Sequence, residues 1–222
     1  MVFIFLGPPG SGKGTQGRLL SERLGISYLS SGDILRDLSK GDGELALEIK
    51  SYMIEGKLIP DSMMRDIFTL SIKEALLKTG GVILDGYPRT VNQARDLELL
   101  LQELSMPSDL IKVIELTAGQ EEIVARLDSR YICPYCQRVY HRKNQPPKVE
   151  GRCDFCSSLL VKRQDDKGET IRERLREYEL KTRELHNYFS CKGLLLSVSG
   201  EGKVEEVARE IEMALGNWEA RC

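Results

Sequence analysis

Residues 7–15 read Gly-Pro-Pro-Gly-Ser-Gly-Lys-Gly-Thr, and this glycine-rich stretch decides how the rest of the chain is interpreted. It directly follows the apolar run Val2–Leu6 and precedes a helical pattern with leucines at 19, 20 and 24. A strand, a glycine-rich loop and a helix in this order are the context that a phosphate-binding loop requires. The glycines let backbone N–H groups turn toward phosphate oxygens, the helix start adds its positive end, and Lys13 reaches the terminal phosphates. The sequence therefore predicts a phosphate-binding loop.

The loop departs from the common pattern at one position, which bears on magnesium binding. Gly14 stands where most such loops carry the serine or threonine that binds Mg²⁺, and Thr15 follows one residue later. We therefore expect phosphates and water to hold most of the Mg²⁺ coordination, with Asp85 nearby at the end of a strand-like run. Asp33 is a weaker candidate, because Ser31-Gly32-Asp33 also fits a helix N-cap.

Short apolar runs alternate with helical patterns along the chain. The runs are β-branched or leucine-rich and do not alternate with polar residues, which is typical of strands buried on both faces of a parallel sheet. Amphipathic helical patterns fall between or after them. The sequence therefore predicts an α/β fold, a doubly wound parallel five-stranded sheet that carries the phosphate-binding loop. The five runs are Val2–Leu6, Ile26–Leu29, Val82–Leu84, Ile111–Leu116 and Leu194–Val198.

Two stretches interrupt this alternation and are interpreted as inserted subdomains. Residues 30–59 are rich in glycine and contain no strand-like run, so we expect a small helical insertion there. Residues 126–166 contain prolines and paired cysteines that a long helix would not tolerate. The core domain would then comprise residues 1–29, 60–125 and 167–222.

Four of the six cysteines form two C-x-x-C pairs, Cys133 with Cys136 and Cys153 with Cys156, with residues 137–152 between them. Each pair presents two thiolates from one side, and two pairs complete the tetrahedral site that Zn²⁺ prefers. Because four thiolates leave no open position for water or substrate, we expect a structural zinc. A lid of about 40 residues buries too little apolar surface to order itself, and a metal cross-link supplies the missing stabilisation.

Three single residues receive structural interpretations. His141, close to the cysteine pairs, is interpreted as a surface residue of the lid and not as a fifth ligand. Cys191 is interpreted as a small buried hydrophobe and Cys222 as part of a frayed tail.

The composition argues against several function classes. The 32 Lys and Arg nearly balance the 34 Asp and Glu, so the net charge indicates no polyanion-binding surface. The N-terminal apolar run is too short to span a bilayer and lacks the features of a signal peptide. Without an export signal, six cysteines argue against a disulfide framework. We therefore expect a cytoplasmic protein that binds neither membrane nor nucleic acid.

The phosphate loop and several later blocks resemble the adenylate kinase family. Leu29–Arg36 resembles the start of that family's AMP-binding insertion, and Gly56–Pro60 resembles its end. Leu84–Thr90 is similar to the family's AMP-site signature, which Gln93 extends. The blocks span almost the whole chain in the expected order. Two further blocks, Arg163–Asp166 and Arg172–Leu175, resemble the arginines at the hinge of the family's lid.

The resemblance implies a monomeric enzyme that transfers a phosphoryl group reversibly between ATP and AMP to give two ADP. It also assigns residues by position. The ATP site would comprise Gly10, Ser11, Gly12, Lys13, Gly14, Thr15, Arg126, Arg130, Val139, Tyr140 and Gly202. The AMP site would comprise Ser31, Arg36, Lys57, Leu58, Ile59, Gly86, Arg89, Gln93, Arg163 and Arg174. The catalytic set would be Lys13, Arg89, Arg126, Arg163 and Arg174.

Such a transfer needs no strong general base, because the attacking phosphate is largely ionised at neutral pH, with a second pKa of about 6. Positioning and charge stabilisation by Lys13, the arginines and Mg²⁺ would supply the catalysis. Two lids that close over the nucleotides would exclude water and so suppress hydrolysis.

Two alternatives remain open at this point. The first is another nucleoside monophosphate kinase, such as one for UMP and CMP, because Ser31 departs from the family's usual threonine. The hydroxyl that Ser31 keeps and the long cysteine lid argue against this alternative. The second is a zinc-ribbon nucleic-acid module joined to an NTPase, since the lid contains aromatic residues that could stack on bases. Its basic residues are Arg130, Arg138, His141, Arg142, Lys143 and Lys148, although ATP phosphates also account for local basic charge.

Overall fold

The computed structural model describes residues 1–141, 145–163, 166 and 168–219, and for 217–219 the backbone alone. Its centre is a parallel sheet of five strands. The strands of the central sheet and of a second, smaller sheet are, in chain order, β1 (Val2–Leu6), β2 (Ser27–Ser30), β3 (Val82–Asp85), β4 (Ile111–Thr117), β5 (Arg130–Ile132), β6 (Val139–His141) and β7 (Leu195–Ser199). The sheet has the order β2-β3-β1-β4-β7, while β5 and β6 form a separate antiparallel pair. All five predicted strands are confirmed, with ends displaced by at most one residue.

Helices connect the strands and cover the sheet. They are α1 (Lys13–Leu24), α2 (Ser31–Leu38), α3 (Glu44–Glu55), α4 (Asp61–Thr79), α5 (Val91–Glu103), α6 (Gln120–Asp128), α7 (Gly168–Glu177), α8 (Glu184–Ser190) and α9 (Val204–Glu219). A 3₁₀ turn at Ser108–Leu110 precedes β4, and a π-helical segment at Tyr178–Thr182 joins α7 to α8.

The three central strands of the sheet, β3, β1 and β4, are largely buried on both faces, as their apolar residues predict. In β1, Val2 and Ile4 belong to one buried cluster, whereas Phe3 and Phe5 belong to the other. The first cluster includes side chains from α4, α5 and α8, and the second includes side chains from α1 and α9. Burying a large apolar side chain contributes roughly 1.5–3 kcal/mol. Two helical layers around one parallel sheet confirm the doubly wound fold.

The order of the strands in the sheet determines where a ligand site is expected. The chain runs from β1 outward to β2, returns to β3, and then crosses to β4 on the other side of β1. A reversal of direction of this kind creates a crevice at the carboxyl ends of the strands, where ligands bind in doubly wound folds. Residues 7–12, which follow β1, lie at this point.

The two interruptions of the αβ pattern take the forms expected of them. Residues 30–59 contain α2 and α3, and apart from the last residue of β2 the structure assigns no strand there. Within 126–166 the described residues form the end of α6, the β5–β6 pair and short bridges such as Ile132 with Val161. In the described part of the chain no helix has the length and apolar character needed to cross a bilayer.

Candidate active site

The phosphate loop curls around the position of Lys13, the first residue of α1. The Lys13 ammonium donates hydrogen bonds to the carbonyl oxygens of Gly7 and Pro8, each at 2.8 Å. Gly7 has φ 132°, and a Cβ there would lie 2.3 Å from the Leu116 carbonyl oxygen, so the tight turn requires glycine. The Ser11 hydroxyl is buried and has no hydrogen-bond partner among the described residues. A phosphate oxygen would satisfy it.

Cationic side chains from distant parts of the chain meet at one cavity above this loop. Because several positive charges converge on one concave surface, the cavity suits a polyanion such as a chain of phosphates. Lys13, Arg36, Arg89, Arg126, Arg130, Arg163 and Arg174 all line it. The site residues predicted from the phosphate loop, the AMP-site blocks and the lid hinge are thus brought together.

Lys13 titrates at an unusually low pH in this cavity. The pKa of the Lys13 ammonium is lowered to about 8, chiefly by desolvation, with the charges of Arg89, Arg174 and Arg130 acting in the same direction and that of Asp85 opposing them. The three arginines therefore lie close enough to Lys13 for their charges to affect its protonation.

Asp166 joins two of the arginines, a role that its sequence context does not predict. Its carboxylate accepts hydrogen bonds from Arg130 at 2.6 and 2.5 Å and from Arg174 at 3.0 Å, and its side chain is only 3% exposed. A buried carboxylate between two guanidinium groups fixes their planes, so that their remaining N–H groups are preorganised for an anion. The only sequence feature that could have indicated this role is the position of Asp166 in the block Arg163–Asp166.

Arg126, on α6, connects the lid side of the cavity to the last loop of the core. It donates to the Gly200 carbonyl oxygen at 2.8 Å and to Glu122 at 2.7 Å. Gly202, which lies in the same loop with φ 104°, also lines the cavity.

The opposite end of the cavity is built from the segment after β3. Arg89 donates to the Gly86 carbonyl oxygen at 2.7 Å and to the Ser31 hydroxyl at 3.2 Å. A Cβ on Gly86 would lie 2.4 Å from Ser31 Oγ and 2.9 Å from the Arg89 guanidinium, so only glycine lets the three residues meet. Gln93, at the start of α5, lines the same end.

The helical insertion contributes the remaining wall. Arg36 pairs with Asp33, which also pairs with Arg18 of α1. The Leu58 N–H donates to the carboxylate of Glu177, the last residue of α7, at 3.2 Å. Ile59 is buried beside Leu58, whereas Lys57 is exposed and pairs with Glu55 at 2.7 Å.

Asp85 fits a place near a bound Mg²⁺. Its carboxylate accepts a hydrogen bond from the Tyr28 hydroxyl at 2.6 Å and approaches Gly14, where a Cβ would lie 3.2 Å away. Burial and the charge of Asp85 raise the pKa of Tyr28 well above its usual value, so Tyr28 stays protonated and orients the carboxylate. Asp85 offers a single carboxylate beside the phosphate loop. This suits Mg²⁺, which usually takes most of its ligands from water and from the substrate phosphates and only one or two from protein carboxylates.

The four paired cysteines meet in the lid and can bind a metal ion such as zinc. Their sulfur atoms all lie within 4.8 Å of one another. The Cys133–Cys156 and Cys136–Cys153 sulfur pairs are 3.3 and 3.4 Å apart, close to the roughly 3.8 Å expected around tetrahedral Zn²⁺ with Zn–S bonds of about 2.3 Å.

The two C-x-x-C turns share one backbone pattern. In the first, the Gln137 N–H donates to the Cys133 carbonyl oxygen at 3.0 Å, and Gln137 has φ 58°. In the second, the Ser157 N–H donates to the Cys153 carbonyl oxygen at 2.9 Å, and Ser157 has φ 59°. Each turn thereby directs both of its sulfurs to one point.

The protonation of the sulfurs also fits a cation. Burial alone would raise the pKa of Cys153, but hydrogen bonds from the Tyr140 hydroxyl and from backbone N–H groups lower it to about 6. Burial raises the pKa of Cys136 to about 12, with the neighbouring sulfurs acting in the same direction. Four crowded thiolates repel one another, so a divalent cation would displace the remaining protons and stabilise the cluster.

Strand β6 separates the cluster from the cavity and corrects one expectation. Tyr140 packs with Cys133 and Cys153, so its side chain does not line this cavity, although it lines a smaller neighbouring pocket together with Gly14 and Thr15. Its neighbours Val139 and His141 face the cavity, because successive side chains of a strand point to opposite sides. The interpretation of His141 as a lid surface residue is therefore wrong.

His141 is partly buried against the core. Its Nδ1 lies 3.1 Å from the Arg126 carbonyl oxygen. Desolvation, together with the charge of Arg130, lowers the pKa of His141 to about 4, so the imidazole is neutral at physiological pH.

Some predicted residues lie elsewhere or are not described. Cys191 is exposed, which contradicts its interpretation as a buried hydrophobe. Arg142, Lys143 and Cys222 fall outside the described residues, as do Gln164 and Asp165 of the block Arg163–Asp166.

Comparisons with known proteins agree with this geometry. The family model described as Adenylate kinase matches residues 5–194. An adenylate kinase of Chloroherpeton thalassium is 44% identical over 215 residues, covering 97% of this chain and 98% of the relative. Adenylate kinases of Methanothrix thermoacetophila and Archaeoglobus fulgidus are 41% and 43% identical over 222 and 218 residues, covering 99% and 97% of this chain and 100% and 98% of theirs. The chain is a phosphotransferase and belongs to the adenylate kinase family.

Proposed function

We propose that the chain transfers the terminal phosphoryl group of ATP to AMP, reversibly, to give two molecules of ADP. One observation carries this proposal. A single cavity joins the phosphate loop around Lys13 to the Ser31, Gly86, Arg89 and Gln93 group, with arginines between them. Two nucleotides that enter from opposite ends would therefore meet with their phosphates against the arginines.

On the ATP side, the loop residues and the lid supply the contacts. Backbone N–H groups of the loop and the Ser11 hydroxyl would bind phosphate oxygens, and Lys13 would exchange its carbonyl contacts for the terminal phosphates. Arg126, Val139 and Gly202 would border the rest of the nucleotide. The full set is Gly10, Ser11, Gly12, Lys13, Gly14, Thr15, Arg126, Arg130, Val139 and Gly202, and Tyr140 would act through its backbone.

On the AMP side, Arg89 and Arg36 would bind the phosphate, because a guanidinium fork matches two phosphate oxygens at once. Ser31, Gly86 and Gln93 would line the base, and Lys57, Leu58 and Ile59 would close over it. Arg163 and Arg174 would lie between the two phosphate chains.

Catalysis in this arrangement rests on position and charge. The AMP phosphate attacks as an anion, and Lys13, Arg130 and Arg174 neutralise the charge that spreads over the transferred group. Mg²⁺, when bound beside Asp85, would add a further positive charge to the phosphates. Asp166 keeps Arg130 and Arg174 in place throughout.

The two insertions would act as lids over the core of residues 1–29, 60–125 and 167–222. Residues 30–59 would close over AMP and residues 126–166 over ATP, and closure would exclude water from the transferred group. We propose that the four cysteines hold a structural zinc, and that the enzyme works as a monomer in the cytoplasm, where reducing conditions keep thiols free to bind metal.

A coupled assay of ADP formation tests the proposal directly. Purified protein is mixed with Mg²⁺, ATP and either AMP, CMP or UMP, and initial rates are compared. We expect ADP formation with AMP to exceed that with CMP and UMP by a large factor. The Lys13→Met variant serves as the control for contaminating kinases and should lose activity by orders of magnitude. A higher rate with CMP or UMP would instead identify a pyrimidine nucleotide kinase.

A further inference from the structure

Both ends of the Gln93 side-chain amide are hydrogen-bonded to the protein, although the side chain lines a ligand cavity. It is 1% exposed. Its Oε1 accepts a hydrogen bond from the Arg89 backbone N–H at 2.8 Å, and its Nε2 donates to Asp61 Oδ1 at 2.8 Å. Asp61 is the first residue of α4 and is not among the described residues that line the cavity.

Asp61 is itself fixed by a second bond. The Thr90 hydroxyl caps α5 by accepting from the Gln93 N–H at 3.1 Å, and it donates its own proton to Asp61 Oδ2 at 2.9 Å. Both carboxylate oxygens of Asp61 are therefore occupied, one by Thr90 and one by Gln93. The pattern Thr90-x-x-Gln93 is that of a helix capping box, which Asp61 extends from another helix.

The chemistry of these partners permits one orientation of the Gln93 amide. A backbone N–H can only donate, so it must meet Oε1, and a carboxylate can only accept, so it must meet Nε2. The flipped amide would set nitrogen against the Arg89 N–H and oxygen against the Asp61 carboxylate. Both contacts would be repulsive in a buried place.

The fixed amide has one N–H and one oxygen lone pair left, since an amide nitrogen carries two hydrogens and an amide oxygen two lone pairs. Adenine presents an amino donor at position 6 beside a ring acceptor at N1, which this pair can bind. Hypoxanthine, guanine and uracil present a carbonyl acceptor beside a ring N–H donor, in the reverse order. They would match only the flipped amide.

We propose that Asp61 is a positioning residue for base selection, which fixes the Gln93 amide so that the site accepts a 6-amino purine and rejects a 6-oxo purine. The inference rests on the proposed function, because it takes the Gln93 end of the cavity as the site of AMP. It adds the residue that gives Gln93 its selectivity.

The first test compares AMP with inosine monophosphate, which has the same size and differs by the exchange of the 6-amino group for a carbonyl. Dissociation constants are measured by titration calorimetry on the complete wild-type chain without ATP. We expect AMP to bind about 100-fold more tightly or better, because a site built to hydrogen-bond one partner leaves buried groups unpaired with the other. Equal affinities would overturn the proposal without any variant.

The second test uses Asp61→Asn, which keeps the shape of the side chain but offers both a donor and an acceptor. Either orientation of Gln93 then finds a partner at this end, and only the Arg89 N–H still favours one. We expect the ratio of the two dissociation constants to fall about tenfold or more, with weaker binding of AMP and stronger binding of inosine monophosphate. A merely structural role would weaken both ligands equally and leave the ratio unchanged, which would overturn the proposal.

Asp96→Asn is the matched control. Asp96 lies on α5 and pairs with Arg65 of α4 at 3.7 Å, so this variant also removes an acidic contact between the two helices without touching Gln93. Its ratio should equal that of the wild type, and a matching fall there would overturn the assignment to Asp61. ADP formation by the wild type from ATP and AMP is measured separately, so a failure of the proposed function shows as an inactive wild type. An active wild type with an unchanged ratio refutes the role of Asp61 alone.

Discussion

At the scale of single residues, Lys13 shows how the cavity prepares a charge for its ligand. Its ammonium has two carbonyl oxygens as partners, and desolvation lowers its pKa to about 8. Binding of phosphates would raise this pKa again, because an adjacent anion favours the protonated form. The affinity for ATP is thereby linked to the pH.

The expected consequence is a pH dependence of ATP binding. Below pH 8 the lysine is already protonated in the free protein, so ATP binds without taking up a proton there. Above about 8 the free lysine loses its proton, and ATP affinity should fall, by up to tenfold per pH unit, until the higher pKa of the complex is reached. Calorimetric titrations from pH 6.5 to about 9.5 would measure this. Lys13→Met should bind ATP more weakly and without the bend near pH 8, and a bend that persists would assign it to another group.

Arg89 is expected to act on one nucleotide and not on both. Its contacts to the Gly86 carbonyl oxygen and to Ser31 place the guanidinium at the AMP end of the cavity. Arg89→Ala should therefore raise the KM for AMP about 100-fold, while the KM for ATP changes by less than about threefold, since charged hydrogen bonds contribute roughly 1.5–3 kcal/mol. Steady-state kinetics with each substrate varied in turn would measure both values. Equal increases would contradict the assignment of this end to AMP.

Residue by residue, the sequence predicts functional groups better than the groups that hold them. Lys13 and Arg89 stand inside recognisable motifs, so their places follow from the resemblance. Asp61 precedes Gln93 by 32 positions, and their hydrogen bond exists only because the start of α4 meets the start of α5. No local pattern encodes that approach. The same holds for Tyr28, whose hydroxyl reaches Asp85 on a neighbouring strand.

At the scale of secondary-structure elements, the helical stretch of residues 168–190 contains an irregularity that the sequence does not reveal. Ile171, Leu185 and Phe189 keep a helical spacing, and all three are buried. Between them, residues Tyr178–Thr182 form a π-helical segment, in which the Arg183 N–H donates to the Tyr178 carbonyl oxygen at 3.0 Å. No proline or glycine marks it. Such segments are frequent at functional sites, and Tyr178 and Thr182 do line the cavity.

The contact between α7 and the helical insertion leads to a prediction about AMP binding. The Glu177 carboxylate accepts from the Leu58 N–H at 3.2 Å and from Lys181 at 2.7 Å, and so holds the wall of the AMP end against the core. Glu177→Ala should raise the KM for AMP severalfold, because the segment then loses a charged hydrogen bond and is less often in its binding position. The KM for ATP should stay within twofold, as steady-state kinetics would show.

Glu179→Ala is the control for that variant. Glu179 lies two residues further along and pairs with the exposed Arg183 at 2.7 Å, which contributes little at the surface. Its kinetic constants should equal those of the wild type. A similar rise in the KM for AMP would point to the stability of the π-helical segment instead of the contact with Leu58.

At the scale of the whole molecule, the fold follows from the sequence because its signals are local and repeated. Strand β1 is an uninterrupted apolar run and β3 begins with one, while β4 and β7 are mostly apolar. The glycine-rich loop fixes the first crossover. How the lid packs against the core is harder to predict from the sequence. In strand β6 the side chain of Tyr140 faces the cysteines and that of Val139 faces the cavity. A strand of three residues is too short for its sequence pattern to predict this alternation. The metal site and the ATP end are thus two faces of one strand.

That shared strand gives the last prediction, which separates a structural zinc from a catalytic one. We expect one zinc per chain by elemental analysis of the purified protein. Chelation, or Cys153→Ala, should lower the melting temperature, because the lid has few apolar contacts of its own and loses its cross-link. The buried sheet contains none of the four cysteines, so circular dichroism at low temperature should still report its intact structure.

Activity should respond in a graded way, since Lys13 and the arginines bind no zinc. Without the metal, β6 holds Val139 and His141 less firmly against the cavity, so the conformation that binds ATP is populated less often and the KM for ATP should rise severalfold. The KM for AMP should change much less, because the AMP end is built from α2, α5 and the segment after β3. Kinetics at 10–15 °C below the new melting temperature, with zinc added back as the control, would measure both constants. Complete loss of turnover with the core folded and ATP still bound would mean that the metal takes part in the transfer itself.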